Sequence, residues 1–352
     1  MKNLENKRFR AEVMKEEVEF ALENLETASL DRLPLGDLYN LSDLGKEDSN
    51  RFWEHWSGMT EDRRKAIVRL LVEMAEDHFE LYFSPLFRKM LDDPSDEVRR
   101  LAVEGLWEDE DPALIKPLIR LLQADESEAV RAAAATSLGK YVYLREVEML
   151  DPGRGSLVEE ALLACIYSNS ESTEVRRRAI ESISYAGSAE VESIIEDAYF
   201  SSDWDMKVSA VFSMGRNSSA RWERYVLREL YNPSPELRYE AAIASGEMAI
   251  RSAVERLMEL SLDNSDSEVR DAAIWALGQI PDARIKMFLR SLLESDDEGV
   301  REAARDALSD YALTMMAGEL DPGIDVEALE DEFVWPEDGW DDVSEWDWDG
   351  AF

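Results

Sequence analysis

Cysteine and histidine are nearly missing from this chain, and each scarcity closes off a chemistry. Cys165 is the one cysteine, so no disulfide can form within the chain. The apolar run around it makes a buried thiol a simpler reading than a reactive one. Histidine occurs twice, at His55 and His78, well separated along the chain. One cysteine and two distant histidines cannot supply a Cys/His zinc site. Positive charge is scarce as well: 39 Lys and Arg face 78 Asp and Glu, a net charge of −39. Such a surface repels nucleic acid and anionic membranes, which both demand Lys and Arg, so neither is expected as a direct partner. No run of apolar residues reaches the length of a membrane span. The start, MKNLENKRFRAEV, lacks the apolar core of a secretory leader, and a cytoplasmic location follows as the default. A G-x-S-x-G elbow, a P-loop and an EF-hand loop are all absent. Gly153-x-Gly155 lacks the preceding strand and third glycine of a nucleotide fingerprint. Carboxylates abound, yet on surface helices they usually form a solvated face. The expectation is a non-enzymatic chain, with no catalytic residue, no metal ligand and no cofactor assigned.

What is present is a cassette that returns at a fixed, short period, as in SDEVRRLAVEGLW from Ser95, SEAVRAAAATSLG from Ser127 and DSEVRDAAIWALG from Asp266. Taking its aliphatic residue as anchor, copies fall at Val98, Val130, Val175, Met206, Leu237, Val269 and Val300. The intervals between anchors are nearly equal, except that the second, from Val130 to Val175, is longer. Three places before each anchor stands Ser or Asp (Ser95, Ser127, Ser172, Asp203, Ser234, Asp266 and Asp297), a residue type that starts helices by accepting from their orphan N–H groups. Acids such as Glu97, Glu174 and Glu268 follow in the first turn, where the helix dipole favours them. Anchor, +4 and +8 share one helix face, and alanine at +4 would let a neighbouring helix come close. A second apolar segment precedes each capped one, for example ALIKPLIRLL at 113–122. Each unit therefore reads as two short helices joined by a turn of Asp, Asn, Ser and Pro. Units of this size cannot bury their apolar faces alone, so they stack. The predicted fold is all-α, a right-handed α-solenoid of stacked helical hairpins with an N-terminal helical cap and an acidic C-terminal tail.

The turn Asp93-Pro94-Ser95-Asp96-Glu97 followed by Val98-Arg99, with its counterparts over roughly residues 84–313, resembles the HEAT repeats of the short-unit kind also found in phycobilin lyases. The resemblance implies that the second helices line the concave face. It also implies a ladder in which the turn Asp of one unit pairs with the helix Arg of another. The basic rungs would be Arg99, Arg131, Arg176, Lys207, Arg238, Arg270 and Arg301, and the acidic ones Asp93 and Asp125. Later copies carry Ser170, Ser201, Asn232, Asn264 and Ser295 in the acidic place, so the ladder is expected to weaken or to use hydroxyl and amide oxygens there. The repeated His-Glu pairs with which HEAT-repeat hydroxylases hold iron are absent.

Three segments depart from the cassette. Residues 1–50 read as an amphipathic helix over 4–26 with Phe9, Val13, Leu22 and Leu25 on its apolar side, then a connector; the helix is a cap or a self-association element, or else a dedicated partner helix. The solenoid proper, 51–317, starts from an atypical capping unit at 51–77. Its long second interval leaves an excess of chain around 141–156, where Asp151-Pro152-Gly153-Arg154-Gly155 reads as a loop. The tail, 318–352, is the third: Asp321–Phe352 holds 13 acids, no Lys or Arg, and Trp335, Trp340, Trp346 and Trp348. Acidic solvating segments are depleted in aromatics, so four tryptophans suggest anchors in a short binding motif.

The second helices carry one further signal. The +6 place is polar in Glu104, Thr136, Glu181 and Asp306, but it is Phe212, Ile243 and Trp275 in three consecutive copies. One turn earlier, Val208 and Tyr239 stand at +2 on the same helices. These five either pack between curved neighbours or form an apolar docking strip on the concave side. The reading is a non-enzymatic scaffold or adaptor that holds a protein partner there, one that is basic or presents an apolar helix or peptide. The Trp-rich tail would be a second contact or an autoinhibitory segment. An accessory enzyme like the phycobilin lyases is the alternative, and an acidic chaperone or nucleic-acid mimic for basic proteins is a third.

Overall fold

Helix-starting residues recur at the head of each cassette, and helices begin there. The structure, a computed structural model, describes residues 18–263 and 265–319. A first helix, α1, covers 18–27. It is followed by α2 (Leu35–Tyr39), α3 (Lys46–Gly58) and α4 (Glu61–Asp77). Seven hairpins then succeed one another: α5 (Ser84–Met90) with α6 (Asp96–Gly105), α7 (Ile115–Ala124) with α8 (Glu128–Glu146), α9 (Pro152–Ile166) with α10 (Thr173–Ile183), and α11 (Ala189–Tyr199) with α12 (Trp204–Asn217). The last three are α13 (Glu223–Glu229) with α14 (Pro235–Glu247), α15 (Val254–Ser261) with α16 (Ser267–Gln279), and α17 (Ala283–Leu292) with α18 (Glu298–Glu319). Among the described residues there is no strand. The described residues form an all-α solenoid of stacked helical hairpins.

The caps divide into two devices. Ser172, Asp203 and Asp266 accept from the N–H three residues on. Ser95, Ser127 and Ser234 make no such bond. There the residue two places earlier folds back instead, with Asp93, Asp125 and Asn232 each accepting from the following Ser N–H at 2.9 Å. An Asx turn has replaced the side-chain cap.

Second helices pack side by side from α4 to α18, each on the next. Among first helices, only α7 and α9 pack on one another comparably. The second helices are therefore the more closely spaced, inner layer. Their +4 alanines, from Ala102 through Ala304, are all fully buried. Glycine at +9 brings the backbones closer still. A Cβ on Gly278 would lie 2.8 Å from the Ala307 carbonyl oxygen and 3.0 Å from its Cα. Gly278→Ala should therefore cost about 1–2 kcal/mol, the overpacking penalty reduced by alanine's better helix propensity. A urea melt checks this; a stabilised variant would show that α16 and α18 can separate freely.

α1 packs onto the core. Leu22 and Leu25 are fully buried, and Arg63 donates to the Leu25 and Ala28 carbonyls at 2.6 and 2.8 Å, tying the end of α1 to α4. Phe9 and Val13 lie outside the described residues. The capping unit is in turn joined to the first hairpin through Asp93, which accepts from Trp56 Nε1 at 2.8 Å and faces Arg64 Nε at 3.1 Å.

The extra residues in the long interval do not form the expected loop. They lengthen α8 to 19 residues and α9 to 15. Pro152 occupies the first turn of α9, where its missing N–H costs nothing, and Asp151 caps that turn by accepting from Arg154 N–H at 3.1 Å. Gly155 leaves room for the Arg145 stem, which reaches across to pair with Glu159.

Candidate functional site

The first turns of α12, α14 and α16 lie next to one another on the inner layer and enclose an open groove of about 310 Å3. Its apolar walls are Val208, Pro235, Tyr239 and Val269. Its charged lining is Asp205, Glu236, Glu240, Asp266 and Glu268 against the single cation Arg177. Four of the acids have a local cause: Asp205, Glu236, Asp266 and Glu268 are cap or first-turn residues, and three adjacent helix starts bring them together, while Glu240 stands a turn further along α14.

The five residues of the apolar strip divide between two environments. Val208 and Tyr239 line the groove, and Tyr239 is 37% exposed. Ile243 and Trp275 are half-buried and pack against the core, with the Trp275 ring lying across Gly246. Phe212 is half-buried beneath Arg216, whose guanidinium sits 4.8 Å from its ring centre. The +6 side chains are thus partly taken up by neighbouring second helices, Val208 is half-buried against the core as well, and Tyr239 carries the open surface. Trp335, Trp340, Trp346 and Trp348 lie outside the described residues.

Polar groups that the strip does not include run beside it. Arg177 Nε donates to Ser209 Oγ at 2.9 Å, and Ser209 donates to Glu181 Oε1 at 2.6 Å. Arg178 holds the other Glu181 oxygen at 2.7 Å. At the far end of the same helices Arg216 bridges the Tyr185 hydroxyl and Glu247, the latter at 3.1 Å. Glu240 lies between these two bridges and forms no hydrogen bond among the described residues. Burial pushes its carboxyl up to about 7, and the like charges of Glu181 and Glu247 add to the rise against the pull of Arg216 and Arg178. The signal was in the sequence at +3, where Leu101, Ala133, Ala272 and Ala303 flank three consecutive polar residues, Arg178, Ser209 and Glu240.

The inter-unit ladder has more acidic rungs than the turn residues suggested. Arg99 pairs with Asp125 at 2.8 Å, Arg131 with Glu171 at 2.9 Å, Lys207 with Glu229 at 3.2 Å and Arg270 with Asp297 at 3.0 Å. The last three acids stand one to three places away from Ser170, Asn232 and Ser295: Glu171 and Asp297 come from the turns, and Glu229 from the last position of α13. Arg176, Arg238 and Arg301 instead donate to the carbonyls of Ile166, Asn232 and Ser295 at 3.1, 2.9 and 2.7 Å. Asp93 pairs with Arg64 of the cap. Outside the ladder, Cys165 is buried and its thiol is pushed up to about 11, chiefly by that burial. Among the described residues no group of three His, Cys, Asp or Glu is placed to hold a metal ion, and no helix is long and apolar enough to cross a membrane.

Residues 84–152 and 223–309 match the family model for HEAT repeats. Those two regions are similar to HEAT repeats. The stretch between the two matched regions holds most of α9 and all of α10–α12, where the departures from the cassette lie. No curated protein matches the sequence. Among solved structures, YibA of E. coli is 19% identical, with 78% of this chain and 96% of that one covered and a TM-score of 0.43. Human deoxyhypusine hydroxylase in complex with glycerol is 16% identical over 87% of this chain and 99% of that one, with a TM-score of 0.34. A Kap95:Nup1 complex gives 13% identity over 89% of this chain and 48% of that one, with a TM-score of 0.47. At these identities and TM-scores the likenesses decide nothing about function.

Proposed function

We propose that the chain is a protein-binding scaffold, without catalysis of its own, that holds a basic partner segment in the groove of α12, α14 and α16. The observation that carries the reading is the lining itself: Val208 and Tyr239 among Asp205, Glu236, Glu240, Asp266 and Glu268, opposed by Arg177 alone. An aromatic and an aliphatic wall give a side chain somewhere to bury, and the surrounding acids select a segment bearing Lys or Arg. The half-buried Phe212, Ile243 and Trp275 stiffen the floor under those walls. The acidic Trp-rich tail supplies a second contact. The short, near-constant interval between anchors favours the short-unit subtype of HEAT repeat.

Tyr239→Ala combined with Glu236→Lys and Glu268→Lys tests the reading by affinity capture from the source cell. The charge-matched control, Glu294→Lys with Asp296→Lys, changes exposed acids outside the groove. Species held by the wild-type chain should fall about tenfold or more with the groove variant and stay unchanged with the control. Equal capture by wild type and groove variant, or equal loss with the control, would overturn the groove as the binding site.

A further inference from the structure

On the ends of α11 and α13 exposed rings and cations gather on one surface. Phe200 is 66% exposed, Trp204 45% and Tyr231 66%. These rings lie among cations. Lys207 Nζ sits 5.1 Å from the Tyr199 ring centre and 5.9 Å from that of Trp204. Arg228 sits 5.1 Å from Tyr199, Arg224 4.7 Å from Tyr225, and Arg256 4.6 Å from Tyr231. Ring contacts join the set, Tyr199 to Phe200 and to Tyr225 at 5.1 Å each. The acids beside it are already engaged. Glu229, buried, serves Lys207, Arg228, the Tyr199 hydroxyl and Asn232 together. Glu196 holds Arg221 and the Tyr225 hydroxyl, and Glu236 accepts from Trp204 Nε1. Exposed Arg224 bonds only the Tyr225 hydroxyl and has no ion pair among the described residues. Lys207 and Arg228 thus share one carboxylate beside the exposed Arg224, while Arg256 pairs with Glu259 and Arg221 with both Glu192 and Glu196.

We propose that the C-terminal segment 335–352 of this chain docks on this aromatic and cationic surface, with its indoles stacking on the exposed rings and guanidinium planes and its carboxylates pairing with Arg224 and Arg228. Three observations carry the assignment, and none depends on the groove reading. The first is composition: Asp321–Phe352 brings 13 acids, no base and four tryptophans. In Glu345-Trp346-Asp347-Trp348-Asp349 two indoles alternate with three carboxylates. A surface that interleaves rings with cations answers both kinds of group. The second is reach. α18 packs on α16 and α16 on α14, so two helix spacings of about 10 Å separate the start of the tail from the α13–α14 hairpin. The stretch from Glu319 to Trp346 extends to about 90 Å, which also covers the length of α18. The third is exclusion: the inner groove bears five acids against Arg177, and it repels a segment with no base. A docked tail would leave that groove free for a partner.

The test is photo-crosslinking in the full-length chain, with Ser344→p-benzoyl-L-phenylalanine placing the probe beside Trp346. The cross-linked peptide is identified by mass spectrometry. The expected partner peptide lies within 199–231, in a monomeric product whose yield falls about tenfold or more in Arg224→Glu with Arg228→Glu, since two charge-assisted contacts become repulsions. The milder pair Arg224→Gln with Arg228→Gln should lower the yield in the same direction. Thermal melts of both pairs show whether either loses the fold, and a reading is taken from the pair that keeps it. Cross-links into the groove residues, cross-links only between two chains, or a yield indifferent to both charge changes would each overturn the assignment.

Discussion

Arg99→Ala is expected to lower the unfolding free energy by about 3–5 kcal/mol, as breaking a buried ion pair does. The size follows from burial: the Arg99 side chain is 16% exposed and that of Asp125 only 6%. Arg99 donates to both Asp125 oxygens at 2.8 Å and to the Asp93 carbonyl at 2.8 Å, so it joins two units and also closes its own turn. An exposed pair at the same distance would be worth less than about 1 kcal/mol. Burial by itself would push the Asp125 carboxyl up; the Arg99 bonds and the Ser127 N–H outweigh it and hold it below the usual carboxylate range. Because the folded state binds that proton less readily than the unfolded state, the pair stabilises above the ordinary Asp range and loses its contribution as pH falls through the depressed value. The variant should therefore lose most stability near neutrality and converge on the wild type in acid. Urea unfolding at pH 7 and pH 3 measures this. Arg99→Met with Asp125→Asn should recover much of the loss, because Asn keeps the Ser127 turn bond and no buried charge is then left without a partner. Equal destabilisation by the single and double changes would show that packing, not the pair, sets the cost.

Much of the solenoid could be read from the cassette because its causes are local. A cap type, a first-turn acid and a +4 alanine each act within one helix or on the next, and the seven alanines are buried as the spacing implies. The ladder was harder to read. Glu171 and Asp297 become rungs through the path of the short turn between helices, where one residue of slack changes which carboxylate arrives, and Glu229 does so from the end of α13. The extra residues at 141–156 misled for a related reason. Proline and two glycines resemble a loop, but proline is tolerated in a helix's first turn, and Asp151 made that turn available. In the candidate site, the aromatic residues at +6 drew attention while the polar break at +3 held the more unusual chemistry. A column of small or apolar residues interrupted by Arg178, Ser209 and Glu240 can only be judged once the spacing of α10, α12 and α14 fixes how deeply each is buried.

That column leads to the second large effect, at Glu240. Its carboxyl stands at about 7 in the folded chain against an ordinary value of 4.5. A folded-state value above the unfolded one means that the native chain holds a proton the unfolded chain has released. Stability is then fullest below about pH 4.5 and falls as pH rises toward 7, by about 3 kcal/mol in all. Glu240→Gln keeps the shape of the protonated acid and cannot ionise. It should match the wild type at pH 4.5 and exceed it by about 3 kcal/mol at pH 8, a gain measurable by urea unfolding. The charged groups that set the balance are Glu181 and Arg178 on α10, Arg216 on α12 and Glu247 on α14, with Asp266 and Glu268 of α16 lining the same groove. A variant no more stable at pH 8 would mean that Arg216 or Arg178 turns to pair with the ionised acid. The strain also has a use in the proposed function. A Lys or Arg of a partner entering the groove would offer Glu240 the cation it lacks and draw the proton off. Binding should therefore tighten from pH 6 to pH 8 in the wild type, and Glu240→Gln should lose that dependence while gaining stability. Stability and binding moving in opposite directions at one residue is what distinguishes a groove kept ready for a cation from one that is merely imperfectly packed.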